Sequence, residues 1–171
     1  EYLCGESLYA RIERTGSLQT GELIRLGIEL CRIMNYLHSF KPNPILYLDL
    51  HPGNLLICRE QLKLIDFDQA ALASLSQERS VCYGTKGFAA PEQYEGGTLD
   101  ERTDIYAIGA LLYYMGTGHA PEGEIKAGQG SCRGDLYILM GRCLRTEKKE
   151  RCQSVREVLE ALEKLEARIF A

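Results

Sequence analysis

The chain has 171 residues, 45% of them hydrophobic and 26% charged, a composition that fits one globular domain, or most of a larger one, and excludes disordered and collagen-like chains. Lys plus Arg number 20 against 24 Asp plus Glu, a net charge of −4, so no basic surface large enough for a nucleic-acid backbone is expected. Seven cysteines, without Cys-x-x-Cys or Cys-x-x-His spacing, argue against a zinc site and a secreted disulfide framework and point to reduced thiols in the cytoplasm, while no apolar run reaches the ~18 residues of a membrane span.

The chain opens Glu1-Tyr2-Leu3-Cys4-Gly5, which reads as the interior of a protein. Residues 8–13 form a short predicted helix, punctuated by Gly16. Leu23, Leu26, Leu30, Ile33, Met34 and Leu37 then recur with a helical period over 22–38, with Thr20 as the expected N-cap. Pro42 and Pro44 force an extended path. Leu46-Tyr47-Leu48, Leu55-Leu56-Ile57-Cys58 and Leu62-Lys63-Leu64-Ile65 follow as predicted strands, the last two joined as a hairpin by Arg59-Glu60-Gln61. Residues 66–103 carry no sustained period and predict a long loop of the kind that usually has a function. The next helix, 104–115, has almost no polar face and should be buried on nearly all sides. Gly116, Gly118, Gly123, Gly128, Gly130 and Gly134 predict loop over 116–134. A helix over 136–144 and a last one opening at the capping box Ser154-Val155-Arg156-Glu157 close the chain. The sum is a mainly α domain with a small β-hairpin.

Asp49-Leu50-His51-Pro52-Gly53-Asn54 places a carboxylate and an amide five residues apart on a tight Pro-Gly loop, and Asp66-Phe67-Asp68 follows a strand. Asp49, Asn54 and Asp66 are expected to converge at one end of the hairpin. A few hard oxygen donors on loops suit Mg²⁺, which completes its shell with waters and a substrate's phosphates. Any one of these residues alone reads more readily as a turn cap. The stretches Gly84-Thr85-Lys86-Gly87-Phe88-Ala89-Ala90-Pro91-Glu92 and Asp104-Ile105-Tyr106-Ala107-Ile108-Gly109 downstream tip the balance.

In that order and at those intervals the motifs resemble a eukaryotic-type serine/threonine protein kinase, from the hinge to the last helix, with a bacterial wording in Gly87 to Gln93. The family's His-Arg-Asp-Leu-Lys-x-x-Asn pattern reads Tyr47-Leu48-Asp49-Leu50-His51-Pro52-Gly53-Asn54, its Asp-Phe-Gly reads Asp66-Phe67-Asp68, and its Ala-Pro-Glu is intact at Ala90-Pro91-Glu92. The resemblance implies a kinase C-terminal lobe over 1–171: hinge at 1–8, catalytic loop and hairpin at 46–66, activation segment at 66–92. It implies that Asp49 deprotonates the substrate hydroxyl while Asn54 and Asp66 hold Mg²⁺ on ATP. Thr85 matches the threonine of kinases acting on protein Ser or Thr. Backbone at Glu1 and Leu3 would face adenine, Ser7 the ribose, and Leu56 would form the floor supported by Leu111 and Met115. Glu92 would pair with Arg151, and Asp104 would accept from the Tyr47 and Leu48 backbone.

The sequence also departs from the pattern. Glycine-rich loop, strand lysine and helix glutamate are missing, every lysine following the hinge from Lys41 onward, so the chain alone is expected to be inactive without its N-lobe. Leu48 replaces the arginine that clamps a phosphorylated segment, which argues against that regulation, although Ser74, Ser76, Ser80 and Thr85 stay modifiable. His51 replaces a lysine with an imidazole, which when unperturbed is mostly neutral at pH 7. Asp68 replaces a glycine, adding charge and removing backbone freedom. These changes keep a pseudokinase scaffold in view. Asp-Leu-His-Pro-Gly-Asn also resembles the loop of small-molecule kinases of the aminoglycoside or choline type, against which the Gly-Thr and Ala-Pro-Glu elements argue. His38 and His119 read as lone histidines without chemistry, the cysteines as small core residues, and Tyr47, Tyr106 and Tyr113 as core. Leu56 and Phe67 should be exposed on the side of the N-lobe, where a homodimer is expected.

Overall fold

A computed structural model of the chain describes residues 5–76, 84–122 and 134–169. Strand β1 (Glu6–Ser7) leads into helices α1 (Leu8–Thr15) and α2 (Thr20–His38). α1 starts where Ser7 Oγ accepts from the Ala10 N–H at 3.1 Å, satisfying one orphan helix donor. It ends at Gly16, whose φ of 77° suits a glycine. α2 differs from expectation at its start: Thr20 is already helical, and Gln19 occupies the cap position without a side-chain cap bond.

Strands β2 (Ile45–Leu46), β3 (Leu55–Cys58), β4 (Gln61–Leu64) and β5 (Ala71–Leu72) are short and antiparallel. The strand expected over 46–48 stops at Leu46, because Leu48 takes a left-handed φ of 68° that no strand continues. β3 and β4 form the hairpin, with Leu55 opposite Leu64 and Cys58 opposite Gln61. Gln61 therefore belongs to β4. The turn shrinks to Arg59-Glu60, with φ of 48° and 68°, the positive-φ pair that matches the twist of the flanking strands. β1 adds to the other edge of β3, and β2 pairs with β5 in a separate two-stranded sheet.

The loop expected over 66–103 contains β5, α3 (Ala73–Ser76) and α4 (Pro91–Glu95). It also contains the start of α5 (Glu101–Thr117), three residues ahead of the prediction. Asp100 explains the early start. Its Oδ1 accepts from the Arg102 N–H at 2.9 Å, and its own N–H donates to Thr103 Oγ1 at 3.2 Å. α5 is buried on nearly all sides and packs on α2 and on α6 (Gly134–Cys143), while α2 lies along α7 (Val155–Ile169). A Cβ at Gly27 would collide with Leu112 of α5 and crowd Leu162 of α7, and one at Gly109 would collide with Cys143 of α6. Glycine is what lets these helices approach so closely. At α7, Ser154 Oγ accepts from the Glu157 N–H at 3.2 Å, but the Glu157 carboxylate reaches the Gln153 N–H at 2.9 Å, one residue earlier than a capping box requires. Of the loop expected over 116–134, residues 123–133 lie outside the described set; Gly116 belongs to α5, Gly134 to α6, and 118–122 carry no helix or strand.

Asp100 also bears on pH stability. Burial raises its pKa, but hydrogen bonds from Arg102 and Lys148 outweigh that and hold it at about 2, against an ordinary 3.8. A depressed folded pKa gives stability that is complete above the unfolded value and lost as pH falls through the folded one. The loss expected from this group below pH ~4 is about 2 kcal/mol. Urea midpoints compared at pH 5 and pH 2.5 should fall less for Asp100→Asn than for the native chain.

Candidate active site

The loop between β2 and β3 is built from α5 outward. Asp104, in the first turn of α5 and 1% exposed, accepts from the Tyr47 N–H at 2.9 Å and from the Leu48 N–H at 2.8 Å. His38, at the end of α2, meets the same carboxylate through Nε2 at 2.8 Å. It is therefore a partnered structural histidine, which corrects its reading as a lone one; its partner lies 66 residues away in sequence and left no local signal. His119 is exposed.

Two bonds tie the hairpin end to the loop. Asn54, which immediately precedes β3, donates through Nδ2 to the Asp49 carbonyl at 3.1 Å, and the Ile65 N–H donates to the Asn54 carbonyl at 3.0 Å. Asn54 and Asp66 thus lie at one end of the hairpin. Asp66 has a left-handed φ of 61°, and its Oδ1 accepts from the Asp68 N–H at 3.2 Å. Asp68 itself has no positive φ, so the missing glycine costs the backbone nothing there.

Tyr47 is the element that the sequence reading assigned only to core. Its single hydroxyl hydrogen is shared between the Asp66 carbonyl, at 2.8 Å, and the Ile65 carbonyl, and its ring meets Phe67 edge-on at 5.2 Å. Burial first, then the charges of Asp49, Asp66 and Asp104, push its phenol well above the ordinary range and keep the O–H intact as a donor. Tyr106 and Tyr113 are only half-buried.

Asp49 itself is partly exposed, with 24% of its side chain accessible. Its Oδ1 accepts from Thr85 Oγ1 at 2.9 Å, and its Oδ2 lies 3.8 Å from His51 Nε2. The Gly53 N–H donates to His51 Nδ1 at 3.2 Å, so in the neutral ring the hydrogen sits on Nε2, facing Asp49. Asp49, His51 and Thr85 come together, with Asn54 bonded to the Asp49 backbone.

At the β1 edge of the hairpin, Ser7 in β1 stands opposite Leu56 in β3. The Ser7 oxygen serves as the cap of α1. Leu56 is half-buried rather than openly exposed, whereas Phe67 is 48% exposed. Leu111 and Met115 are buried in the main core. Glu1, Leu3 and Ser80 fall outside the described residues.

Behind the site, Glu92 of α4 receives a two-pronged ion pair from Arg151, at 2.7 and 2.8 Å. Thr103 Oγ1 adds a bond to Glu92 at 3.0 Å. Gln93, to which the sequence assigns no role in the site, is buried and donates to the Leu48 carbonyl at 2.8 Å.

Such a lobe, with a buried central helix pinning an aspartate-bearing loop and an ion pair bracing the segment opposite, is the larger lobe of a protein kinase. Residues 1–165 match the protein kinase domain family, and the chain belongs to that family, in its eukaryotic-type serine/threonine branch. It is 32% identical over 126 residues to Integrin-linked protein kinase 1 of Arabidopsis thaliana, an alignment covering 69% of this chain and 26% of that protein. It is 29% identical over 201 residues to Serine/threonine-protein kinase A of Synechocystis sp., covering 100% of this chain and 38% of that protein. With Serine/threonine-protein kinase PknB of Mycobacterium leprae it shares 32% identity over 126 residues, or 71% of this chain and 20% of that protein. The chain thus spans well under half the length of these relatives. No helix among the described residues is long and apolar enough to cross a membrane.

Proposed function

We propose that this chain is the catalytic C-terminal lobe of a serine/threonine protein kinase that moves the γ-phosphoryl group of ATP to protein hydroxyls, and that it is inactive without a preceding N-lobe. The observation that carries the reading is the Thr85–Asp49 hydrogen bond beside a hairpin end that presents Asn54 and Asp66. Among the described residues no group of three or more His, Cys, Asp or Glu side chains is arranged to hold a metal. The amide oxygen of Asn54 and the carboxylate of Asp66 at the hairpin end are hard donors of the kind that fits Mg²⁺, which takes the rest of its shell from water and phosphates. When bound, Mg²⁺-ATP supplies the transferable group with its charge partly neutralised.

The chain's own residues do the rest. Asn54, with Nδ2 turned to the Asp49 carbonyl, offers its amide oxygen to the metal, and Asp66 offers a carboxylate oxygen. Thr85 occupies Asp49 Oδ1, which leaves Oδ2 to take the proton of the incoming hydroxyl. His51 presents Nε2–H to the transferred group in place of lysine. Backbone at Glu1 and Leu3 receives adenine, Ser7 lies near the ribose, and Leu56 forms the floor. The face with Phe67 is covered by the N-lobe, or by a second copy of this chain in a homodimer. The free thiols of Cys31, Cys58, Cys143 and Cys152 suit a reducing cytoplasm.

The test is a transfer assay on the full-length protein that contains this chain. With Mg²⁺ and labelled ATP it should label serine or threonine of a protein acceptor; EDTA should reduce labelling to background, and added Mg²⁺ should restore it. Label passing only to a small alcohol would favour the small-molecule kinase instead. No transfer by a folded protein that still binds partners would favour the pseudokinase scaffold.

A further inference from the structure

Gln93 is 1% exposed, and its amide stands where three segments meet. Its Oε1 accepts from the Ala90 N–H at 3.0 Å, and its Nε2 donates to the Leu48 carbonyl at 2.8 Å. The same nitrogen lies close to Gly84, where a Cβ would stand 3.0 Å from it and collide with the Ala89 Cβ. Thr85, the next residue, holds Asp49 Oδ1. The bonded carbonyl belongs to the peptide unit that enters Asp49, so its orientation sets where the aspartate side chain starts.

Leu48 needs such help. It is a non-glycine residue at φ 68°, a conformation that persists only where the surroundings over-determine it. Asp104 fixes its N–H at 2.8 Å, and Gln93 fixes its carbonyl. The Leu48 side chain packs into a small cluster with Leu46 and Leu99, so position 48 offers no charge to the activation segment. Among the described residues, Tyr47 couples the start of that segment to the Asp49 loop through Asp66 and Phe67, and Thr85 and Gln93 couple its later part.

We infer that Gln93 is a positioning residue for phosphoryl transfer, tying the Leu48–Asp49 peptide to the Ala90 turn of the activation segment, beside its Gly84-Thr85 stretch. This rests on the kinase reading proposed above. The site asks for an acceptor toward Ala90 and a donor toward Leu48 on one planar group, which a carboxamide supplies. Methionine matches its shape with neither bond. An ionised glutamate accepts from Ala90 but turns lone pairs on the Leu48 carbonyl, whereas a protonated one restores both bonds.

In the full-length protein, Gln93→Met should lower kcat about tenfold to a hundredfold, the scale of a small misplacement of a reacting group, with the KM for ATP within about twofold of native. Gln93→Glu should be similarly impaired at pH 8 and recover as the pH is lowered toward 6, relative to the native protein at each pH, because burial favours the neutral carboxyl. A purely structural role would lower thermal stability without this recovery. Hydrogen exchange provides a readout independent of activity. The Tyr47, Leu48 and Asn54 amides, each hydrogen-bonded, should exchange about tenfold faster in Gln93→Met, while those of the α5 interior stay unchanged.

A Gln93→Met protein with native kcat overturns the inference, as does a Gln93→Glu protein without pH recovery. Should Gln93→Met fail to fold, the recovery of Gln93→Glu decides alone. A native protein that transfers no phosphate refutes the kinase reading, and the exchange comparison then decides the coupling by itself: faster loop exchange supports it, and unchanged exchange overturns it.

Discussion

Replacing Asp49 by asparagine is expected to lower phosphoryl transfer by the full-length protein about 10²–10⁴-fold, the usual contribution of a positioned general base, with little effect on folding. The geometry separates the two effects. Asp49 is partly exposed, and among the described residues its carboxylate meets Thr85 and, at 3.8 Å, His51. Asparagine keeps an oxygen for Thr85 and forfeits only the group that takes the substrate proton. The candidate metal donors, Asn54 and Asp66, are untouched, and the bond that ties Asn54 to this loop uses the Asp49 main-chain carbonyl. The expected result is a loss in kcat with the KM for ATP and the melting temperature close to native, read from initial rates and a thermal scan. Unchanged kcat would remove Asp49 from the chemistry. A KM rising in step with the loss would assign it to binding instead.

How much of this was legible follows from the length scale of each signal. The helices α2, α5 and α7 are long enough to repeat an apolar period several times, and the hairpin pairs a continuous apolar run, Leu55 to Cys58, with an alternating one, Gln61 to Leu64, so their existence could be read directly. β5, α3 and α4 have two to five residues each, too few for any period. β5 exists only because Ala71 and Leu72 pair with Leu46 and Ile45 across the chain. The turn at Arg59-Glu60 lacks the glycine or asparagine that marks such a turn, which is why Gln61 was assigned to it. In the site, spacing brought Asp49, Asn54 and Asp66 into view because a loop and a hairpin join them locally. His38, Tyr47 and Gln93 act through partners on other elements. Tyr47 and Gln93 look like core or helix filler in sequence, and only their hydrogen-bond partners distinguish them. The Glu92–Arg151 pair, residues 59 apart, and the Asp104 bonds to the Tyr47 and Leu48 backbone were exceptions among distant contacts, reachable only through the family resemblance.

That pair leads to the largest stability effect expected. Arg151 has 0% of its side chain accessible, and all five of its N–H donors are engaged. Two go to the Glu92 carboxylate at 2.7 and 2.8 Å, and three to the carbonyls of Arg145, Arg102 and Thr146 at 2.7 to 2.9 Å. Its guanidinium also lies 5.0 Å from the centre of the Tyr106 ring. Methionine fills much of the same volume but leaves Glu92 as a buried anion with Thr103 as its remaining bonded donor, together with three carbonyls that lose a partner. Breaking one side of a buried pair costs about 3–5 kcal/mol, which for a chain of this size corresponds to a drop of roughly 6–20 °C in melting temperature. Urea unfolding of the 171-residue chain should therefore show a midpoint well below native for Arg151→Met. The double variant Arg151→Met, Glu92→Leu should recover much of the loss, because it removes the stranded charge as well. If the double variant were no more stable than the single one, the bonds of Arg151 to the Arg102, Arg145 and Thr146 carbonyls, rather than its charge, would be its main contribution to stability.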